Sequence, residues 1–324
     1  MDLELKKQPR GPTQRLAIGT MQQRYHDLNT YFKNIFGCRV HKLTVDAGLT
    51  CPNRDGSLGR GGCIYCNERG SGTGARAKGL SITEQLEASK APVAKRFKAK
   101  KFMAYFQSFS NTYAPLEQLR SMYDEALAVS DIVGLAIGTR PDCVDDAKLS
   151  LLEHYARNRL IWLEYGLQSA HDQTLAAINR GHDVAAFKTA VMATVGRGIN
   201  ICAHMILGLP GETADHMRAT ADYIARLPVD GIKLHLLYVV KGTPMASLYR
   251  SGTYRCLDQW EYVDLVCDVI ERLPRHVVIQ RLTGDPHPKE LLAPRWALEK
   301  NQTLHMIQER MHRRDTHQGK FFIT

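Results

Sequence analysis

Cys51, Cys63 and Cys66 stand within sixteen positions of one another, in the stretch TCPNRDGSLGRGGCIYCNERGSG that opens at residue 50. Thiolates are soft ligands that suit zinc or iron–sulfur clusters. The spacing Cys-x11-Cys-x2-Cys supports two readings. A structural zinc wants four ligands, and Cys38 or His41 would supply the missing one. A four-iron cluster held by three cysteines instead leaves one iron open, where a substrate or cofactor can bind. Glycines at 56, 59, 61, 62 and 70 let the loop wrap closely around either group.

The elements that must position this loop follow one rhythm. Short apolar or β-branched runs occur at 40–47, 101–109, 131–139, 159–169, 200–209 and 231–239, with helical patterns between them. Such alternation predicts parallel βα units. The helices carry their own signals: Ser81 with Glu84 forms a capping box, Pro115 opens a helix, and Asp183 and Thr213 are N-caps. Gly198 is the stop expected for the helix that begins at Asp183. Six units rather than eight predict an open α/β sheet, a partial (βα)6 TIM-like barrel, with ligands at the carboxyl ends of the strands. Those ends are polar or glycine-rich. The first strand runs into the cysteine loop and the second into Ser108, Ser110 and Asn111; the third meets GTRPDC, the fourth carries Glu164 and Gln168, and the fifth ends in GLPGET.

The chain has 324 residues, a formal charge of +10 and 44% hydrophobic residues. No apolar run approaches the ~18 residues of a membrane span, and residues 1–20 do not read as a secretory signal, so a cytoplasmic location is expected. The scattered Cys38, Cys143, Cys202, Cys256 and Cys267 do not form a disulfide framework; they read as small buried hydrophobes. Three segments are expected: an N-terminal extension at 1–23, a core at 24–245, and a helical C-terminal extension at 246–324 that packs on the core and contacts RNA.

Taken together, DAGLTCPNRDGSLGRGGCIYC (46–66), LEYGLQS (163–169) and HMILGLPGET (204–213) resemble a radical S-adenosylmethionine (radical SAM) enzyme. The loop in particular resembles the YhcC/YtqA-like family, related to the elongator catalytic subunit and to MiaB-like radical enzymes, over roughly residues 24–290. The resemblance implies one [4Fe–4S] cluster on Cys51, Cys63 and Cys66, with the open iron chelated by SAM. It also implies reductive cleavage of SAM to a 5′-deoxyadenosyl radical, with a one-electron reductant such as flavodoxin or ferredoxin. Position by position it implies that Ser110 and Asn111, in QSFSNTY, bind the methionyl amino group, although the glycine-glycine-glutamate of many relatives is missing there. Glu164 and Gln168, four apart and therefore on one face of a strand, match contacts to the ribose and methionyl portion; for Glu164 a structural ion pair is the competing reading. Arg180 matches a partner of the SAM carboxylate, Leu207 and Gly208 would pack beside adenine, and Tyr65 matches an aromatic near the cluster.

The same resemblance suggests modification of the tRNA wobble uridine, from 5-carboxymethylaminomethyl to aminomethyl. Three basic regions suit an RNA backbone: 90–101 with six Lys/Arg; Arg54, Arg60, Arg69, Arg76 and Lys78 in the cysteine loop; and Arg310, Arg313, Arg314 and Lys320 near the C-terminus. Two alternatives stay open, a radical enzyme acting on a small metabolite or protein, and a zinc-bearing nucleic-acid-binding protein.

Overall fold

The computed structural model describes residues 23–68, 70, 75 and 79–322. Seven parallel strands form one sheet in sequential order: β1 (Val40–Val45), β2 (Lys101–Phe106), β3 (Ile132–Thr139), β4 (Leu160–Gln168), β5 (Asn200–Leu207), β6 (Gly231–Leu236) and β8 (Val278–Arg281). Sequential order with right-handed crossovers curls the sheet into a half-barrel. Strands buried on both faces read as nearly unbroken apolar runs, and β4, LIWLEYGLQ, is buried along all but its last residue. The residues that break its apolar character, Glu164 and Gln168, are those with work to do at the inner face.

The six-strand expectation falls one short. β8 comes from VVIQRL, inside the segment expected to be a helical extension. A short pair of strands, β7 (Val239–Val240) and β9 (Leu291–Ala293), is antiparallel and spans the expected boundary at 245 as well. Between them run α8 (Pro244–Arg250) and α9 (Gln259–Arg272). Four-residue strands bounded by a proline and a glycine carry too little periodicity to stand out from loop.

Helices cover the outside: α2 (Ile82–Phe97), α3 (Leu116–Ala128), α4 (Asp146–Ala156), α5 (Asp172–Ala177), α6 (Val184–Thr194), α7 (Ala214–Ala225) and α10 (Lys300–Arg313). The capping box at Ser81 is present, Pro115 precedes α3, and the Asp183 and Thr213 side chains accept from backbone N–H groups of α6 and α7. The α6 helix stops at Thr194, before the expected Gly198, because Val195 leaves the helical region. The outward strand residues Leu43, Ile137, Leu163 and Met205 make the main core with these helices.

The inner face is closed at its amino end by α1 (Leu28–Phe36), capped by Asp27 and ended by Gly37 in the left-handed region. Phe32, Val40, Leu160, Trp162 and Val278 pack there, with the Tyr31 ring 5.5 Å from Trp162 and edge-on. Barrel curvature leaves no room for a side chain where β3 meets β4: a Cβ at Gly134 would lie 2.0 Å from the Leu160 carbonyl oxygen. Gly134→Ala is therefore expected to destabilise by about 1–3 kcal/mol or more, seen as a lower urea midpoint with an unchanged m-value.

A three-thiol loop at the mouth of the half-barrel

At the carboxyl ends of the strands the cysteine loop leaves β1. Its entry is tied to α2, where buried Gln85 accepts from the Asp46 N–H at 2.8 Å and donates to the Asp46 carbonyl at 2.9 Å. Cys51 then starts a turn, its carbonyl accepting from the Arg54 N–H at 2.8 Å. The buried Asn53 donates to the Asn179 carbonyl at 2.6 Å, and Asn179 returns a bond to the Gly62 carbonyl at 2.8 Å. The wrap is tight enough to require glycine twice: a Cβ at Gly59 would stand 2.5 Å from the Asn53 side chain, and one at Gly62, where φ is +78°, 2.7 Å from that of Arg54. Further along, the Ile64 N–H donates to the Ile178 carbonyl at 3.1 Å, and the Met245 N–H donates to the Ile64 carbonyl at 3.1 Å. The loop is thus stitched to the α5–α6 connection on one side and to α8 on the other.

Two N–H donors reach the Cys63 sulfur: Arg180 Nη1 at 3.6 Å and Asn53 Nδ2 at 3.9 Å. Burial and the charge of Cys63 push the Cys66 thiol up to about 11, with Cys51 adding to the rise and Arg54 opposing it. Three thiols this close cannot ionise together without a cation to compensate them. Arg180 supplies part of that charge. Burial works against its guanidinium, yet Cys63 holds it above its usual range. Tyr65 lies against the same group, and burial with the Cys63 charge holds its hydroxyl neutral. Cys143, alone in the sequence, is brought near the loop: burial pushes its thiol up to about 11 against a bond from Ser110, with Asp142 and then Cys51 adding to the rise.

The structure gathers most of the sequence-derived residues here. Arg180 Nη2 donates to the Gly166 carbonyl at 2.7 Å, and its Nε is buried without a partner among the described residues. Gln168 also lies over Gly166, where an added Cβ would stand 2.6 Å from both Gln168 Nε2 and Arg180 Nη2. It reaches that position through a bulge, with φ at +79°, rather than by simple strand alternation. Ser110 is bonded to Thr139 at 2.9 Å, and Asn111 donates to the Gly138 carbonyl at 2.9 Å; Asn111 Oδ1 and the neighbouring Ser108 Oγ are buried and have no partner among the described residues. Gly208 adopts φ of +87° and its carbonyl accepts from the Tyr254 hydroxyl at 2.8 Å.

Two placements differ from expectation. Leu207 faces the helical layer; Ile206 and Leu209 are the side chains packed in the cluster that includes Ile64 and Tyr65. Glu164 lies one step deeper in the lumen, where both oxygens are engaged: Oε1 by Lys42 at 2.6 Å, and Oε2 by His204 at 2.9 Å and by Lys233. Burial would raise the Glu164 pKa, but Lys233 and Lys42 overcome it and hold the carboxyl well below its ordinary range. The competing ion-pair reading of this residue is therefore the one its contacts describe.

The buried neutral histidines give a pH signature. Burial lowers His204 to about 4 despite its bond to Glu164, and lowers His235 well below its ordinary value. Above the unfolded value near 6.5 neither folded nor unfolded chain carries these protons. Below it the unfolded chain takes them up and the folded chain does not, so stability falls as pH drops from about 6.5 toward 4, by up to about 1.4 kcal/mol per pH unit for each group. Urea midpoints at pH 7, 5.5 and 4.5 are expected to decline, and His204→Gln is expected to make the decline shallower.

Several functional positions were not singled out from sequence. Arg140, buried at 2% exposure, is held by Asp142 at 2.6 Å and donates to the Arg180 carbonyl at 2.7 Å, so TRPDC positions Arg180. Lys42 and Lys233 escaped notice although each interrupts an apolar strand at an inward register position, a signal that alternation could have given.

Among the described residues, two of the three basic regions are not free at the mouth. The run 90–101 covers the end of α2 and the start of β2, at the amino end of the barrel, where Arg39 bonds the Phe97 carbonyl and His41 stacks on the Phe97 ring at 4.1 Å. Arg310 and Arg314 are turned into α9, paired with Asp264 at 2.5 and 2.8 Å, and Arg313 faces Glu309. Arg54 donates to the Cys66 and Asn67 carbonyls at 3.0 and 2.6 Å, holding the loop rather than facing outward. Arg60 is exposed; Arg69, Arg76 and Lys78 lie outside the described residues. The zinc reading fails on the same geometry. Cys38 and His41 sit at the opposite end of β1 from Cys51, roughly 20 Å away along a six-residue strand. Among the described residues no three His, Cys, Asp or Glu side chains converge as ligands of a single ion.

A seven-stranded parallel half-barrel with three thiols in the first strand-end loop defines a radical SAM architecture. Residues 53–224 match the radical SAM superfamily model and 229–313 match the radical SAM C-terminal domain. The chain belongs to the radical SAM superfamily, and within it to the family of YtqA and YhcC. It is 40% identical to YtqA of Bacillus subtilis over 301 residues, 93% of this chain and 94% of YtqA. It is 43% identical to YhcC of Escherichia coli K12 over 262 residues, 81% of this chain and 84% of YhcC. The structure of Elp3 from the archaeon Methanocaldococcus infernus superposes with a TM-score of 0.62 at 15% identity, covering 86% of this chain and 64% of that one, a likeness of fold. Enzymes of this superfamily use a [4Fe–4S] cluster and SAM. Among the described residues no helix is long and apolar enough to cross a membrane.

Proposed function

We propose that Cys51, Cys63 and Cys66 hold the [4Fe–4S] cluster and that the mouth around Arg180 receives SAM. The observation that carries this is the placement of three cysteines in one strand-end loop, with a buried guanidinium on the Cys63 sulfur and buried polar atoms beside it that lack partners among the described residues. When bound, the cluster and SAM supply a 5′-deoxyadenosyl radical, the electron coming from a reductant such as flavodoxin or ferredoxin. The chain's own groups do the rest. Arg180 and Asn53 donate to the Cys63 sulfur, which tunes a thiolate-held cluster; Asn111 Oδ1, Ser108 Oγ and Arg180 Nε offer unused hydrogen-bonding capacity to the aminoacyl portion of SAM. Gln168 reaches over the same spot, and Ile206 and Leu209 give adenine an apolar wall beside Gly208. Ser110, bonded to Thr139 and to the Arg140 N–H, stands beside Asn111 in the same group.

The substrate we assign is the wobble uridine of tRNA, in the step from 5-carboxymethylaminomethyl to aminomethyl. Its support is the resemblance of the family to tRNA-modifying radical enzymes. Arg60 and, on the segment that abuts the loop, Lys241 and Lys289 are exposed cations near the mouth. Mass spectrometry of tRNA nucleosides from a strain lacking this protein tests the assignment. The carboxymethylaminomethyl nucleoside should accumulate, and wild type but not Cys63→Ala should reverse it. An unchanged nucleoside profile, with SAM cleavage intact in the purified enzyme, would assign the radical to a small metabolite or a protein instead.

A further inference from the structure

The inward residues of β4 read from floor to mouth. Leu160 and Trp162 pack in the apolar floor, Glu164 is the polar layer above it, and Gly166 lies under Arg180 at the mouth. Alternate residues of a strand are about 7 Å apart, so the Glu164 layer sits one such step beneath the thiol loop. Two cations contact one carboxylate and a third, Arg281, whose Nε donates to the Thr283 carbonyl at 2.6 Å, stands at the edge of the layer. Lys42 and Lys233 contact Glu164, and Arg281, opposite Lys233 in the sheet, bears on both His235 and Tyr105. With the histidines neutral, the cations outnumber the one carboxylate.

Unpartnered polar atoms border the layer: among the described residues His235 Nε2, Gln280 Nε2 and, from the floor beneath, Trp162 Nε1 are buried without partners, each a costly state unless something fills it. The side chains of Lys42 and His204 keep 12% and 14% exposure although they line the interior, so solvent reaches the layer. Burial draws Lys42 down to about 8, against the pull of Glu164, as expected of a cation short of negative charge. Uncompensated cations and orphan donors held in place by a rigid sheet make a preorganised seat for a small anion.

We propose that this layer is a carboxylate-binding subsite, with Lys42, Lys233, Arg281 and His235 seating an acidic group of the substrate below the site of radical formation. This extends the reading above, since the 5-carboxymethylaminomethyl group carries one carboxylate on a short arm, but the site itself does not depend on the carrier being RNA. The subsite gives the enzyme a way to choose acidic over neutral substrates of equal size.

Calorimetric titration of the protein alone with acetate, acetamide and chloride tests it without RNA, so its outcome is independent of the nucleoside assay. Acetate is expected to bind saturably and at least about tenfold more tightly than acetamide, the discrimination a charge-assisted contact gives. His235→Leu and Arg281→Met, which leave the contacts of Glu164 in place, are each expected to weaken acetate about tenfold. Acetate no tighter than acetamide or chloride overturns the proposal. So does acetate binding that survives both variants and disappears in Arg180→Ala, which would put the anion at the mouth.

Discussion

Replacing Cys63 by alanine is expected to give a folded protein that binds no stable cluster and forms no 5′-deoxyadenosine from SAM. Cys63 is buried at 6% exposure and is the sulfur on which Arg180 and Asn53 converge. Its loss removes one of three thiolates and leaves the Arg180 guanidinium facing an empty space. The loop itself should survive, because its shape is set by the bonds of Asn53 and Asn179 to backbone carbonyls and by the backbone bond from Ile64 to Ile178, and these bonds do not use the sulfur. Losing a residue that merely supports a metal ligand costs roughly 10–100-fold in affinity or activity, so losing a ligand should exceed about 100-fold. The measurements are iron and sulfide content after anaerobic reconstitution, absorbance of the cluster, and deoxyadenosine by chromatography. Cys51→Ala and Cys66→Ala should behave alike. Cys267→Ala is the control, since Cys267 lies in α9 against α10, far from the loop, and should keep its cluster. Full iron retention in Cys63→Ala would remove that residue from the ligand set.

How far the sequence carried these conclusions differs by element. The parallel sheet was legible because its first six strands are long apolar runs separated by helices with explicit caps, and alternation at that scale survives local exceptions. β8 was hidden, being four residues long and set among polar neighbours. The thiol loop was legible from type and spacing alone. Arg180 was found by resemblance, but the Arg140–Asp142 pair behind it was not, because two residues apart in sequence they look like ordinary loop chemistry and only the fold shows them buried. The basic runs illustrate the opposite failure. Composition counts cations but says nothing of which end of a barrel they occupy, and α2 carries 90–101 to the end away from the mouth. Likewise the arginines of α10 look free in a one-dimensional charge pattern, whereas α9 presents Asp264, Asp268 and Glu271 to them. Formal charge alone therefore overstates the surface available to RNA.

Glu164→Gln is the second substitution with a large expected effect, here on stability. The glutamine keeps the shape of the side chain but removes the one charge that compensates Lys42 and Lys233, whose side chains are 12% and 5% exposed. Breaking a buried ion pair by removing one partner typically costs about 3–5 kcal/mol, because the other charge stays desolvated and unpaired. That cost should be largest at neutral pH, where the lysines are charged, and should shrink as pH rises and Lys42 becomes neutral. Its direction follows from the lowered Lys42 pKa: the variant binds fewer protons folded than unfolded, so its stability increases with pH. Urea denaturation at pH 7 and pH 9 measures both effects. Exchanging the whole pair for apolar residues of similar volume, Glu164→Leu with Lys233→Met, should recover part of the loss, which simple overpacking of the lumen would not. The result also separates the two readings of Glu164. An unchanged midpoint together with weakened SAM binding would make it a cofactor contact after all, whereas a lowered midpoint places it in the charged layer that the strands build beneath the cofactor.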